Sequence, residues 1–112
     1  MILVPLYDTL GEEGVKFILN QTELTVLFCH PKTLKSYLSY LPECSAVKLM
    51  VKLPSLDVKD VTSEEREAAA KHDVTLVTWE EFVKRGKDDP KPMVLPAPDD
   101  ICTLCYTSGT TG

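Results

Sequence analysis

The residues best suited to chemistry stand together in one stretch, Thr107-Ser108-Gly109-Thr110-Thr111-Gly112, directly after the apolar run Ile101-Cys102-Thr103-Leu104-Cys105-Tyr106. Small residues let a backbone approach a phosphate closely, successive N–H groups can point inward, and Ser/Thr hydroxyls add donors or a metal ligand. The run from Asp99 to Tyr106 is expected to be a buried strand, and the loop after it to wrap a polyphosphate, with one threonine able to reach Mg²⁺. A Walker A loop is excluded, because that pattern ends in Gly-Lys-Ser/Thr and no lysine follows Lys91. The dinucleotide fingerprint is excluded as well, since it needs three glycines at another spacing and only Gly109 and Gly112 occur here. The competing interpretation is a Ser/Thr/Gly linker with no ligand. A strand feeding straight into the loop favours the phosphate site.

Other side chains invite chemistry and are better explained by structure. Cys102-x-x-Cys105 has redox or zinc spacing, but on a strand positions three apart face opposite sides. The redox motif also needs a helix start, and no second Cys or His pair completes a zinc site. These two thiols are expected to be buried and structural, and the four cysteines in all, with Cys29 and Cys44, are few for a disulfide scaffold. His30 precedes a helix and is expected to cap it, and His72 follows one and suits its C-terminal dipole. The acidic run Ser63-Glu-Glu-Arg-Glu67 fits a solvated first helical turn, and Trp79 and Phe82, three apart, fit the core. Tyr106 either packs beneath the loop or lines the nucleotide site.

The elements that must position the loop follow from pattern. Ile2 to Leu6 reads as a strand or strand end, with Pro5 unable to donate a ladder bond. Thr9-x-x-Glu12 has capping-box spacing, and Leu10, Val15, Ile18 and Leu19 share a helical face after it. Thr25–Cys29 is a compact strand. Pro31 suits the first turn of a helix whose Leu34, Tyr37, Leu38 and Leu41 fall at i, i+3, i+4 and i+7, closed by Pro42. Val47–Leu53 alternates, which places it near a sheet edge with one face partly exposed. Thr62-x-x-Glu65 and Thr78-x-x-Glu81 are two more capping boxes, flanking a strand at 74–77, and Gly86 is the expected stop of the last helix. Residues 87–98, rich in Pro and charge, read as a surface connection. Short strands alternating with helices predict an α/β fold, a mostly parallel sheet flanked by helices, whose ligands bind beyond the carboxyl ends of the strands.

A chain of 112 residues supports at most one domain, and its net charge of -5 argues against nucleic acid as partner. No stretch approaches the roughly 20 apolar residues of a transmembrane span, and the start lacks a basic n-region, so neither a span nor a signal peptide is expected. The sequence opens as if already inside a strand.

Tyr106-Thr-Ser-Gly-Thr-Thr-Gly112 resembles the front of the signature loop of the adenylate-forming, AMP-binding superfamily, which continues with a residue and then Pro-Lys-Gly. Val4-Pro-Leu-Tyr-Asp-Thr-Leu-Gly11, Trp79-Glu-Glu-Phe82 and Asp100-Ile-Cys-Thr-Leu-Cys-Tyr106 are similar to segments of long-chain acyl-CoA synthetases at similar intervals. The resemblance implies that residues 1–112 are part of a large N-terminal AMP-binding domain, with 99–112 its strand and truncated phosphate loop. It implies a ligase using ATP, Mg²⁺, CoA and a long-chain fatty acid: the carboxylate is adenylated and CoA then displaces AMP. It assigns phosphate contact to Thr107, Ser108, Gly109, Thr110, Thr111 and Gly112, and Mg²⁺ to Thr107. No catalytic residue falls within this stretch, so the chain alone is expected to be inactive; a terminal strand without its following helix leaves apolar surface and a sheet edge uncovered, so marginal stability is expected as well. An intracellular parent, peripheral to the endoplasmic reticulum or peroxisome membrane, is implied. The alternative is a small flavodoxin-like module that binds a phosphate ligand without catalysis.

Overall fold

The computed structural model describes residues 1–7, 9–57 and 60–107. In chain order these form α1 (Glu12–Thr22), β1 (Val26–Cys29), α2 (Pro31–Tyr40), a single 3-10 turn (Leu41–Glu43), β2 (Leu49–Lys52), α3 (Ser63–Ala70), β3 (Thr75–Thr78) and α4 (Trp79–Asp88). The three strands pair in parallel in the order β1-β2-β3, so the α/β fold expected from the sequence is the one formed. That consecutive order differs from the flavodoxin-like arrangement, in which the first strand lies between the second and third.

Register separates the faces of the sheet. Leu27 stands beside Met50 and Leu76, and these three join Leu34 of α2, Leu41, Ala69 of α3 and Val15 and Leu19 of α1 in one buried cluster. Phe28, Val51 and Val77 occupy the opposite face. There the Phe28 ring meets Phe82 of α4 edge-on, with centroids 5.2 Å apart. Val51 and Val77 are fully covered, whereas Phe28 remains 43% exposed. One face is closed and the other is only partly covered.

Local chemistry fixes the helix starts. Thr62 and Thr78 both form complete capping boxes, with Glu65 and Glu81 returning a carboxylate to the cap N–H. His30 caps α2 as expected, its Nδ1 accepting from Lys32 N at 3.2 Å, and Pro31 takes the first turn.

Several expectations are corrected. The Thr9 capping box does not form: Leu10 N donates to Tyr7 O at 3.1 Å, which places Thr9 in a turn, and Gly11 is the N-cap. The Glu12 carboxylate is committed to Lys16 at 2.6 Å instead. β2 is the central strand rather than an edge, and its Lys52 is buried. Gly86 does not stop α4, which continues to Asp88 with Lys84 paired to Asp88 across its last turn. Trp79 and Phe82 are not core: α4 buries no residue fully, and Trp79 is 38% exposed. The strands expected at 2–6 and 99–106 reduce to one parallel bridge between Leu3 and Thr103, and Ile101 and Leu104 are exposed. Cys102 and Cys105 are exposed rather than buried, while Cys29 and Cys44 are buried.

Candidate functional site

The segment that leads into the expected phosphate loop is placed by a few specific ties. Asp100 Oδ2 accepts from Ala97 N at 2.7 Å, and Asp100 N returns to Ala97 O at 3.0 Å, closing a turn that ends the exposed connection. Leu3 N then donates to Cys102 O and Leu104 N to Leu3 O, both at 2.9 Å, which is the parallel bridge. Past Leu104 the ties pass to side chains. The Tyr7 hydroxyl lies 3.1 Å from Cys105 Sγ, and this contact, more than the burial it brings, holds the Tyr7 phenol above its ordinary pKa of 10.0. The Tyr106 hydroxyl donates to Gln21 Oε1, and its ring meets Phe17 edge-on at 6.5 Å and 88°.

Thr107 follows at once and is exposed. Ser108, Gly109, Thr110, Thr111 and Gly112, the remaining phosphate-contact residues expected from the sequence, lie outside the described residues. Leu104, Cys105 and Tyr106 line a hollow of about 170 Å³. That is smaller than the roughly 300–1,000 Å³ of most ligand sites. A nucleotide would therefore need more walls than these residues supply.

Mg²⁺ favours octahedral oxygen ligands, usually one or two carboxylates together with substrate phosphates. Among the described residues no group of three or more His, Cys, Asp or Glu side chains converges to hold a metal. The Thr107 hydroxyl fits such an ion only as one ligand of a cation that arrives on a polyphosphate.

Lys52 was missed in the sequence, where it passes for the exposed side of an alternating strand. It ends β2 with its side chain 2% exposed, donating to Asp60 O at 2.8 Å and to both Glu65 oxygens at 3.0 and 3.1 Å. All three ammonium protons are thereby satisfied, so the group locks the carboxyl end of the sheet to the start of α3. The signal available was Glu65 itself, a capping residue whose second oxygen had no assigned partner. The neighbouring Cys29 thiol is pushed up to about 12 chiefly by burial, which makes it inert. Arg66 reaches Leu76 O at 2.7 Å and the Glu81 carboxylate at 3.0 Å, so the acidic run of α3 serves structure.

A sequence model of the family described as AMP-binding enzyme matches residues 1–112. A peroxisomal long chain acyl-CoA synthetase 7 of Arabidopsis thaliana is 40% identical over 111 residues, which cover 99% of this chain and 15% of that protein. Long-chain-fatty-acid–CoA ligase 2 of Schizosaccharomyces pombe is 33% identical over 112 residues, 98% of this chain and 16% of the relative. Among solved structures, the adenylation domain of a carboxylate reductase from Mycobacterium chelonae superposes with a TM-score of 0.73 at 24% identity, covering 97% of this chain and 18% of that one. The A-PCP didomain of a carboxylic acid reductase from Segniliparus rugosus, in complex with AMP, gives 0.71 at 23% identity, covering 94% of this chain and 16% of that one. The chain thus spans about a sixth of the length of the proteins it resembles.

Proposed function

The chain belongs to the AMP-binding enzyme family, and from that premise we propose that it supplies the phosphate-holding stretch of an ATP-dependent long-chain fatty acid–CoA ligase. The observation that carries the proposal is 40% identity over 111 residues to a relative named as a long chain acyl-CoA synthetase. In the proposed reaction a fatty carboxylate oxygen attacks the α-phosphorus of ATP and pyrophosphate leaves. The CoA thiol then attacks the acyl carbonyl, loses its proton, and AMP departs. Residues 1–112 act as part of the large N-terminal domain, with 87–98 the surface connection and 99–112 the strand and loop.

Thr107, Ser108, Gly109, Thr110, Thr111 and Gly112 hold the β- and γ-phosphates through hydroxyls and backbone N–H groups, so that charge building on the leaving pyrophosphate is met by hydrogen-bond donors. Thr107 would stand beside a Mg²⁺ ion carried in on the polyphosphate, which would neutralise part of that charge. The chain spans 15% of its relative; in this proposal the fatty-acid pocket, the CoA site and the catalytic groups belong to other parts of the protein, and residues 1–112 alone are inactive. Two Arabidopsis relatives are named as peroxisomal, which supports the peroxisome as the parent's location; a peripheral place at that membrane or at the endoplasmic reticulum is part of the same proposal. No helix among the described residues is long and apolar enough to cross a membrane.

The test is exchange of labelled pyrophosphate into ATP. The full-length protein is expected to show exchange that depends on a long-chain fatty acid, and Thr107→Ala to lower it about tenfold or more. Exchange that is absent, or that needs no fatty acid, overturns the assignment. Exchange by residues 1–112 alone overturns the division of labour.

A further inference from the structure

We infer that Gln21 of α1 is a positioning residue for Thr107, acting through the Tyr106 hydroxyl; this rests on the ligase assignment and names a part of that same site. The backbone ladder that steadies the segment ends with Leu104 N on Leu3 O. From there to Thr107 the ties among the described residues are side-chain ones, and Tyr106 is the last residue before the first phosphate-contact hydroxyl. The phenol's bond to Gln21 and its edge contact with Phe17 together fix both the reach and the rotation of the ring. A ring so fixed also restrains the backbone of residue 106, and through one peptide plane that of Thr107.

The post itself is firm. Phe17 and Gln21 stand four apart, on one face of α1, while Val15, Ile18 and Leu19 bury another in the core. Lys16 is gripped by Glu12 at 2.6 Å and also pairs with Glu13 and Glu43, and Asn20 Nδ2 donates to Glu43 O at 2.9 Å. These ties join α1 to the turn after α2. The helix is therefore anchored independently of Tyr106, and the amide of Gln21 offers a fixed, uncharged acceptor one residue from the loop. A misplacement of about 1 Å at a reacting group can cost a hundredfold in rate, so a bond at this point bears on ATP rather than on CoA.

The test uses the full-length protein. Tyr106→Phe keeps the ring on Phe17 and removes the hydroxyl; Gln21→Leu keeps the methylenes and removes the acceptor. Each is expected to lower kcat/KM for MgATP about tenfold with the KM for CoA unchanged, and the double variant to be no worse than either single one, since one bond is lost in all three. Gln21→Glu, which keeps an acceptor oxygen at the same reach, is expected to recover most of the loss. A merely structural role would lower the melting temperature and leave the ATP and CoA parameters moving together. Unchanged ATP kinetics in both single variants, or losses that multiply in the double, overturn the inference. If the protein exchanges no pyrophosphate at all, the ligase assignment fails and amide hydrogen exchange still decides the anchor. Faster exchange at Thr107 in Tyr106→Phe supports it, and unchanged exchange overturns it.

Discussion

The sheet from Val26 to Thr78 and the segment from Cys102 to Thr107 carry similar apolar sequences and are held in opposite ways. In the sheet, each strand pairs along four residues with its neighbour, and Met50 at its centre is 0% exposed. In the segment, among the described residues, one bridge to Leu3 and the side-chain contacts of Tyr7 with Cys105 and of Tyr106 with Gln21 and Phe17 do the holding, and Leu104 is 38% exposed. Burial of apolar surface makes the first region stable, whereas a few directional bonds give the second a place without giving it depth. Elements that must open around a ligand and close again are drawn from the less stable parts of a fold. Under the function proposed above, the segment would receive a polyphosphate and release pyrophosphate, and so belongs to that class.

The contrast is broken or sharpened first by truncation. Met50→Ala is expected to cost about 2–5 kcal/mol, and Leu104→Ala less than about 1 kcal/mol, read as shifts of the urea midpoint of the full-length protein. Equal costs would erase the distinction. Next is the lock at the carboxyl end of β2. Glu65→Ala strands the buried Lys52 ammonium and is expected to cost about 3 kcal/mol, more than Lys52→Met, which removes the charge along with the bond. The reverse order would mean that the ammonium is solvated.

A smaller effect belongs to the third strand's end. Thr78→Ala removes a complete capping box and is expected to cost about 1 kcal/mol. The Thr78 N–H, opposed by slight desolvation and helped by Arg66, holds Glu81 below the ordinary carboxylate range of 4.5. With its folded pKa depressed, Glu81 contributes stability above the unfolded value, and the contribution fades as pH falls through the folded one. Glu81→Gln is therefore expected to flatten the acid limb of stability against pH; an unchanged limb would remove the carboxylate from the account.

The smallest effect is in the segment. Tyr7 is raised above 10.0 by Cys105, so whatever the contact contributes is present below the unfolded pKa and lost as pH rises through the folded one. Cys105→Ala is expected to return the Tyr7 titration, followed by ultraviolet absorbance, toward 10.0. An unshifted titration would show that the sulfur does not touch the phenol.

What the sequence showed and what it hid divide along the same line. Thr62 and Thr78 could be read as caps because a capping box closes within three residues, and the faces of α1 and α2 because helical periodicity is local. Lys52 could not, since its burial depends on Glu65, 13 residues away. The Thr9 box failed for a related reason: Lys16, held also by Glu43, drew Glu12 away from the cap. The run 101–106 reads as buried by composition, yet among the described residues its ladder partner is Leu3, so its apolar side chains stay open. Of the site, the loop's residue types were legible and its anchor was not, because nothing in Gln21 or Phe17 announces a meeting with Tyr106, 85 residues from Gln21.

The chemistry proposed for the loop is tested most directly by oxygen tracing. The full-length protein, given a long-chain fatty acid labelled with ¹⁸O in its carboxylate together with ATP and CoA, is predicted to release AMP carrying one ¹⁸O, as attack on the α-phosphorus requires. Label in inorganic phosphate, or AMP formed without label, would contradict adenylation and with it the role assigned to Thr107 and the residues after it.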